Sequence, residues 1–180
     1  IAKSFRSGVE IIAAYQPIEK ITIDGNLTVS MNKLNNFIEY TDSYDGNYEY
    51  IGQSTIEFKN TDIAFSPSLI AMGSVSWSPI KNLKLRFIAK HVDKQYLDNT
   101  ENDARSISAY TTVDSRIGYS IKNKFCKEIR FDITLNNILD ALYESNGYTY
   151  GYYVDGARTQ ENFYYPQAPF NVLGQVSIKF

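Results

Sequence analysis

The sequence predicts an all-β fold: an antiparallel transmembrane β-barrel segment of about seven long meander strands. Three observations carry this. Apolar and polar residues alternate with a period of two over long stretches, the pattern of a sheet with two chemically different faces. Connections between the stretches alternate short and long, as in a barrel with short turns at one end and long loops at the other. The strands are long for a globular sheet and match a bilayer crossing of roughly 9–11 residues.

The first strand is read from Phe5, Val9, Ile11, Ala13 and Tyr15 opposed to Arg6, Glu10 and Gln16. Pro17-Ile18-Glu19 turns the chain into the second, where Ile21, Ile23, Leu27, Val29 and Met31 alternate with Thr22, Asp24, Asn26, Thr28 and Ser30. A long connection over 41–66 leads to the third strand, Leu69 to Trp77, and Pro79-Ile80-Lys81-Asn82 turns into the fourth, Leu83 to Lys90. After a loop at 98–107 comes the fifth strand, Ala109 to Ile121, then a short turn at 123–127 and the sixth, Ile129 to Asn136. A last loop at 146–166 precedes the seventh, Phe170 to Phe180. A soluble β-barrel or sandwich would alternate too, with its apolar face turned inward. Buried Asp24, Arg86 and Arg116 beside exposed Ile23, Leu85 and Ile117 would exclude that alternative.

Composition narrows the chemistry. With 180 residues, 43% hydrophobic and 21% charged, the chain is neither disordered nor a helical membrane protein, and no apolar run approaches the roughly 18 residues of a spanning helix. A formal charge of −2 gives no reason to expect nucleic acid as a partner. The single Cys126 excludes an internal disulfide framework and a cysteine zinc site, and no catalytic role is assigned to it. His91 is the lone histidine, read as interfacial rather than as a metal ligand, and no nucleophile elbow, P-loop or GxGxxG motif is present. No enzyme activity, catalytic residue, metal ligand or cofactor is expected. The loop acids Asp42, Asp45, Glu49, Asp62, Glu101 and Asp103 lack the DxDxDG spacing of a calcium loop.

Several motifs carry a resemblance. Asn171 to Phe180 ends in an aromatic residue behind alternating Val176 and Ile178, like the C-terminal targeting strand of bacterial outer-membrane proteins. Asp132-Ile133-Thr134-Leu135-Asn136-Asn137-Ile138-Leu139-Asp140-Ala141-Leu142-Tyr143 resembles the penultimate-strand pattern of TonB-dependent receptors, with Leu139 where Phe is frequent. Tyr164-Tyr165-Pro166-Gln167-Ala168-Pro169-Phe170 continues that pattern into the closing strand. Trp77 to Leu83 and Lys94 to Asn99 are similar to a turn and an upward strand of the same family.

The resemblance implies that residues 1–180 are the C-terminal part of a larger barrel in the bacterial outer membrane, with the plug domain and earlier strands absent. It implies uptake of a scarce nutrient: an iron chelate, haem, cobalamin or a glycan. Implied partners are outer-membrane lipid, the rest of the receptor, a TonB-type energy-coupling protein acting through the plug, and the barrel assembly machinery reading Phe180, Ile178 and Val176. The competing expectations are a small stand-alone structural or adhesive barrel, and a soluble β-barrel or carbohydrate-binding module.

The 15 tyrosines form two populations. Tyr15 and Tyr119, with Trp77 and Phe180, fall beside the short turns, where an interfacial girdle belongs. Tyr44, Tyr48, Tyr50, Tyr148, Tyr150, Tyr152, Tyr153, Tyr164 and Tyr165 fall in the long loops. There they are candidates for stacking on a ligand or packing on a partner lipoprotein, since Tyr offers large contact area at low entropic cost. Self-packing of the loops is the competing role. The polar parity, including Glu10, Asp24, Lys84, Arg86, Lys90, Asp114, Arg116, Arg130, Asp132 and Lys179, is expected to form an ion-paired wall.

Overall fold

A computed structural model describes residues 3–122 and 124–180; Asn123, in one of the expected short turns, lies outside the described residues. The seven expected strands are present as β1 (Ser4–Ile18), β2 (Ile21–Tyr44), β4 (Leu69–Trp77), β5 (Leu83–Val92), β8 (Tyr110–Ile121), β9 (Glu128–Asn136) and β12 (Asn171–Lys179). Between them lie β3 (Tyr50–Asp62), the two-residue strands β6 (Gln95–Tyr96) and β7 (Ser106–Ile107), and the hairpin β10 (Glu144–Val154) and β11 (Ala157–Pro166). The expected loops at 41–66 and 146–166 are therefore largely strand: Tyr, Thr and Ile pair well on a pleated surface even where strict alternation fails.

The wall is an antiparallel meander in the order β1-β2-β4-β5-β8-β9-β12. Its registers bring apolar residues together level by level. Ile23 is opposite Tyr15 on one side and Val75 on the other, Val75 opposite Phe87, Ile117 opposite both Leu85 and Ile133. Among the described residues β1 pairs only with β2 and β12 only with β9, so the wall has two open lateral edges.

One face of the wall is apolar and uncovered. Ile23 is 46% exposed, and Val29, Val75, Phe87, Ile133, Val172 and Ile178 are similarly open. In water such a surface would be far beyond the few hundred Å² that a soluble monomer leaves uncovered; in a bilayer it is the lipid-facing band. Tyr15, Trp77, Tyr119 and Phe180 are exposed on this face at the short-turn end, in the positions of an aromatic belt. The other face carries the charges, and Asp24 and Arg86 on it are half-buried. Arg116 is itself exposed, and Leu85 and Ile117 are half-buried, because an open wall leaves both faces accessible.

The tightest packing is in the layer of connections at the long-loop end, beyond the apolar band. Ile107 is 1% exposed, Leu97 5% and Val92 6%. Around them the segment Lys94–Ser106 is closed on itself by a backbone bond from Leu97 N to Arg105 O and tied to the β3–β4 connection by one from Phe65 N to Tyr96 O. The β10–β11 hairpin reaches across from the β9/β12 side to the tip of β2, where Tyr153 and Val154 pair in parallel with Ser43 and Tyr44. Its turn is Asp155-Gly156, both at positive φ (48° and 77°), the conformation a two-residue hairpin needs and that Asp and Gly supply most readily.

Candidate functional site

The outer layer is organised by one carboxylate. Glu39, on the outer extension of β2, accepts from Arg105 Nη1 at 2.7 Å and from Arg158 Nη2 at 2.6 Å and Nη1 at 3.1 Å. Arg105 closes a single 3-10 turn (Asp103–Arg105) capped by the Asn102 side chain, and its Nη1 also reaches Asp98 Oδ2 at 2.7 Å. Arg158 opens β11 and extends to Gln160 Oε1 at 3.0 Å. Three segments far apart in sequence are thus tied at one point. The Arg105 side chain is 6% exposed and that of Glu39 14%, so these are desolvated, hydrogen-bonded ion pairs rather than surface decoration. Burial pushes the Glu39 carboxyl up, but the two guanidinium groups outweigh it and hold it below the ordinary glutamate value.

The nine loop tyrosines divide around this knot. Tyr44 meets Tyr50 edge-on at 5.9 Å and Tyr152 at 6.2 Å, and Tyr152 is 5.7 Å from Tyr150. Tyr148 stacks on Phe163 at 4.8 Å with Tyr165 at 6.4 Å. These rings form a band along one side of the hairpin, and Tyr50, Tyr148, Tyr150 and Tyr165 are exposed. Tyr153 and Tyr164 belong to the other side: Tyr153 lies under the Arg158 guanidinium at 5.6 Å, and Tyr164 donates to Ser106 O at 3.1 Å. Tyr48 sits in the β2–β3 turn, 68% exposed at positive φ, with its backbone N donating to Asp45 O. Self-packing therefore accounts for many of these rings, while part of the band stays exposed.

A polar hollow of about 550 Å³ opens beside the tip of the hairpin, lined by Ser43, Tyr44, Gln53, Ser54, Thr55 and Tyr153 among others. It contains no charged group. Five of the six loop acids are engaged through their carboxylates by the chain itself: Asp45 accepts from Asn47 and Glu49 N, Asp42 from Gln53, Asp62 and Glu101 hold Lys33, and Asp103 holds Lys94 at 2.6 Å. Lys94 is pushed up and Asp103 down by their mutual hydrogen bond. His91 Nδ1 lies 2.9 Å from Thr111 Oγ1 on the adjacent strand.

The Asn137–Asp140 motif has a structural task. Asn137 and Asp140 both adopt positive φ, which Asn and Asp tolerate well. Asn137 is 4% exposed; its side chain bridges Ala141 N and O and Ala168 O, and its N donates to Asp114 Oδ1. Asp140 Oδ1 accepts from Phe170 N at 2.9 Å. The two residues thus fix where the chain leaves β9 and where it re-enters at β12. On the charged face Asp114 accepts from Asn137 N, whereas Arg130 and Asp132 form an ion pair at 2.8 Å, as part of the expected ion-paired wall.

Glu39, Arg105 and Arg158 were not singled out in the sequence. Nothing local marks them, since the contacts span 66 and 119 residues. The Asp155-Gly156 dipeptide between β-prone runs was the available signal for the hairpin that brings Arg158 into place.

No family model matches the sequence, and no curated protein matches it. Solved structures do. The siderophore receptor PiuA from Acinetobacter baumannii superposes with a TM-score of 0.69 at 15% identity, over 98% of this chain and 22% of that one. The ferric yersiniabactin uptake receptor FyuA from Yersinia pestis follows at 0.58 and 17%, over 96% and 23%, and the ferric preacinetobactin receptor BauA from A. baumannii at 0.53 and 14%, over 98% and 26%. This is the barrel-wall fold of TonB-dependent receptors. The chain spans about a quarter of the length of these structural relatives, with its seven meander strands as wall and the outer layer as their connections.

Proposed function

We propose that residues 1–180 are the C-terminal part of the barrel of an outer-membrane receptor for a scarce nutrient, with an iron chelate as the first candidate ligand. The observation that carries this is the pairing of an uncovered apolar wall face with a tightly packed outer layer, in a fold shared across nearly the whole chain with siderophore receptors. On this reading the wall faces outer-membrane lipid, and further strands of the same protein pair with the open edges of β1 and β12. A TonB-type protein supplies energy through a plug, and the assembly machinery reads Val176, Ile178 and Phe180, all exposed on the last strand. The exposed tyrosine band and the uncharged hollow at the hairpin tip are the surfaces offered to ligand. The reading is non-enzymatic: the site consists of structural ion pairs and aromatic rings.

The test is deletion of the gene encoding the protein that contains this segment, followed by uptake assays with ferric siderophores, haem, cobalamin and oligosaccharides. Loss of uptake of one class, restored by the wild-type gene, is the expected result. A protein that fractionates outside the outer membrane, or a deletion strain with normal uptake of all four, would overturn the proposal.

A further inference from the structure

The charged face of the wall holds an excess of cations in one place. A hollow of about 360 Å³ near the short-turn end is lined by Lys84, Arg86, Arg116, Arg130, Asp132 and Gln175 among others. Arg86 and Arg116 are directly opposite each other in the β5–β8 register, and Lys84 shares their face two residues along. Like charges directly opposite on a sheet repel. The nearby carboxylates are already committed. Asp24 pairs with Arg86 at 3.0 Å, Asp132 with Arg130 at 2.8 Å, and Asp114 accepts from Asn137 N. Glu128, on the same face of β9, accepts from Ser120 Oγ at 2.6 Å. Among the described residues neither Lys84 nor Arg116 forms an ion pair with a carboxylate, so cations outnumber anions around the hollow. Gly118 contributes to its shape: a Cβ there would meet Asp132 Oδ1 at 2.8 Å and Arg130 Nη2 at 3.1 Å.

We propose that this hollow is an anion-binding site, taking a carboxylate or phosphate group between Lys84 and Arg116. A guanidinium fork matches the two oxygens of either group, and the lysine adds a point charge from the neighbouring strand. Two sources share that chemistry: a soluble anion, or an acidic side chain elsewhere in the same protein. The site depends only on the wall and its charged face, and holds whichever nutrient the barrel admits.

The sign of a stability change tests it. In the full-length protein in detergent, thermal midpoints are compared for wild type, Arg116→Gln, Lys84→Gln and the charge-preserving Arg116→Lys, with inorganic phosphate titrated at constant ionic strength. A soluble source predicts a midpoint that rises with phosphate in wild type and Arg116→Lys, with the response lost in both Gln variants. A resident carboxylate predicts no phosphate response, and a midpoint lowered by about 3 °C or more in each Gln variant, with a smaller loss in Arg116→Lys, which keeps the charge but not the fork. The proposal is overturned if Arg116→Gln raises the midpoint or leaves it unchanged while wild type ignores phosphate, since relief of bare repulsion, or mere solvation, then explains the cluster.

Discussion

Replacing Glu39 with Gln removes one charge from a knot that joins β2, the Asp103–Arg105 turn and the β10–β11 hairpin. The side chain keeps its size, so the loss is electrostatic. Arg105 would retain Asp98 at 2.7 Å, while Arg158 would keep only Gln160 and the ring of Tyr153. Removing one partner of a buried pair costs about 3–5 kcal/mol, and the surviving Asp98 contact together with the 22% exposure of Arg158 reduces this to about 2–3 kcal/mol. The pH dependence has a definite sign. The folded carboxyl titrates below its unfolded value, so the stabilisation is complete above the unfolded pKa of about 4.3 and is lost as pH falls through the lower folded one. The assay is amide hydrogen exchange at pH 7 on β10, β11 and residues 102–106. Protection in these segments should fall by about 30–150-fold, corresponding to the 2–3 kcal/mol above, while β8 and β9 remain unchanged. In the double variant Glu39→Gln/Arg158→Gln the losses should be clearly less than additive. Unchanged protection in Glu39→Gln would show that the hairpin is held by its backbone pairing alone, and the reasoning would fail.

Other substitutions probe the wall. Val75→Lys, on the lipid-facing side, should cost about 2–4 kcal/mol in denaturant unfolding from liposomes, whereas Thr28→Lys, directly opposite Glu10 on the charged side, should be nearly neutral. Gly25→Ala drives a Cβ to within 2.7 Å of Met72 O and should destabilise the β2–β4 pairing by about 1–3 kcal/mol; Gly73→Ala, whose Cβ meets nothing within 4 Å, should not, and equal unfolding midpoints would refute the distinction. Deleting Phe180 should reduce the fraction of protein that migrates as the compact, heat-modifiable form from outer membranes, with any unassembled chain recovered in the periplasm.

The wall was legible because a strand with one face in lipid and one in water must alternate, and Ile21 to Met31 or Ile129 to Asn136 can be satisfied by no helix. The outer layer was not, for a different reason. From Glu144 to Pro166 the chain is solvent-exposed on one side and packed on loops on the other, so Tyr stands at neighbouring positions such as 152 and 153 and no clean period appears. Its strands are held by cross-chain partners that one sequence does not pair. The nine tyrosines, expected in loops, stand mostly on strands of the outer layer and differ in environment: Tyr153 and Tyr164 are fastened to Arg158 and Ser106, and only part of the set stays open.

The parallel contact between the hairpin tip and β2 has a mechanical meaning. Four strand-to-strand steps separate β2 from β9, an arc of about 19 Å at the usual strand spacing. The chain leaves β9, runs out along the eleven residues of β10 and pairs with the outer tip of β2 at Ser43–Tyr44, so the outer end of β2 is tethered to the strand it is four steps away from. The lateral edges of the wall remain open to further strands, yet at its outer end this portion already closes a hydrogen-bonded loop on itself.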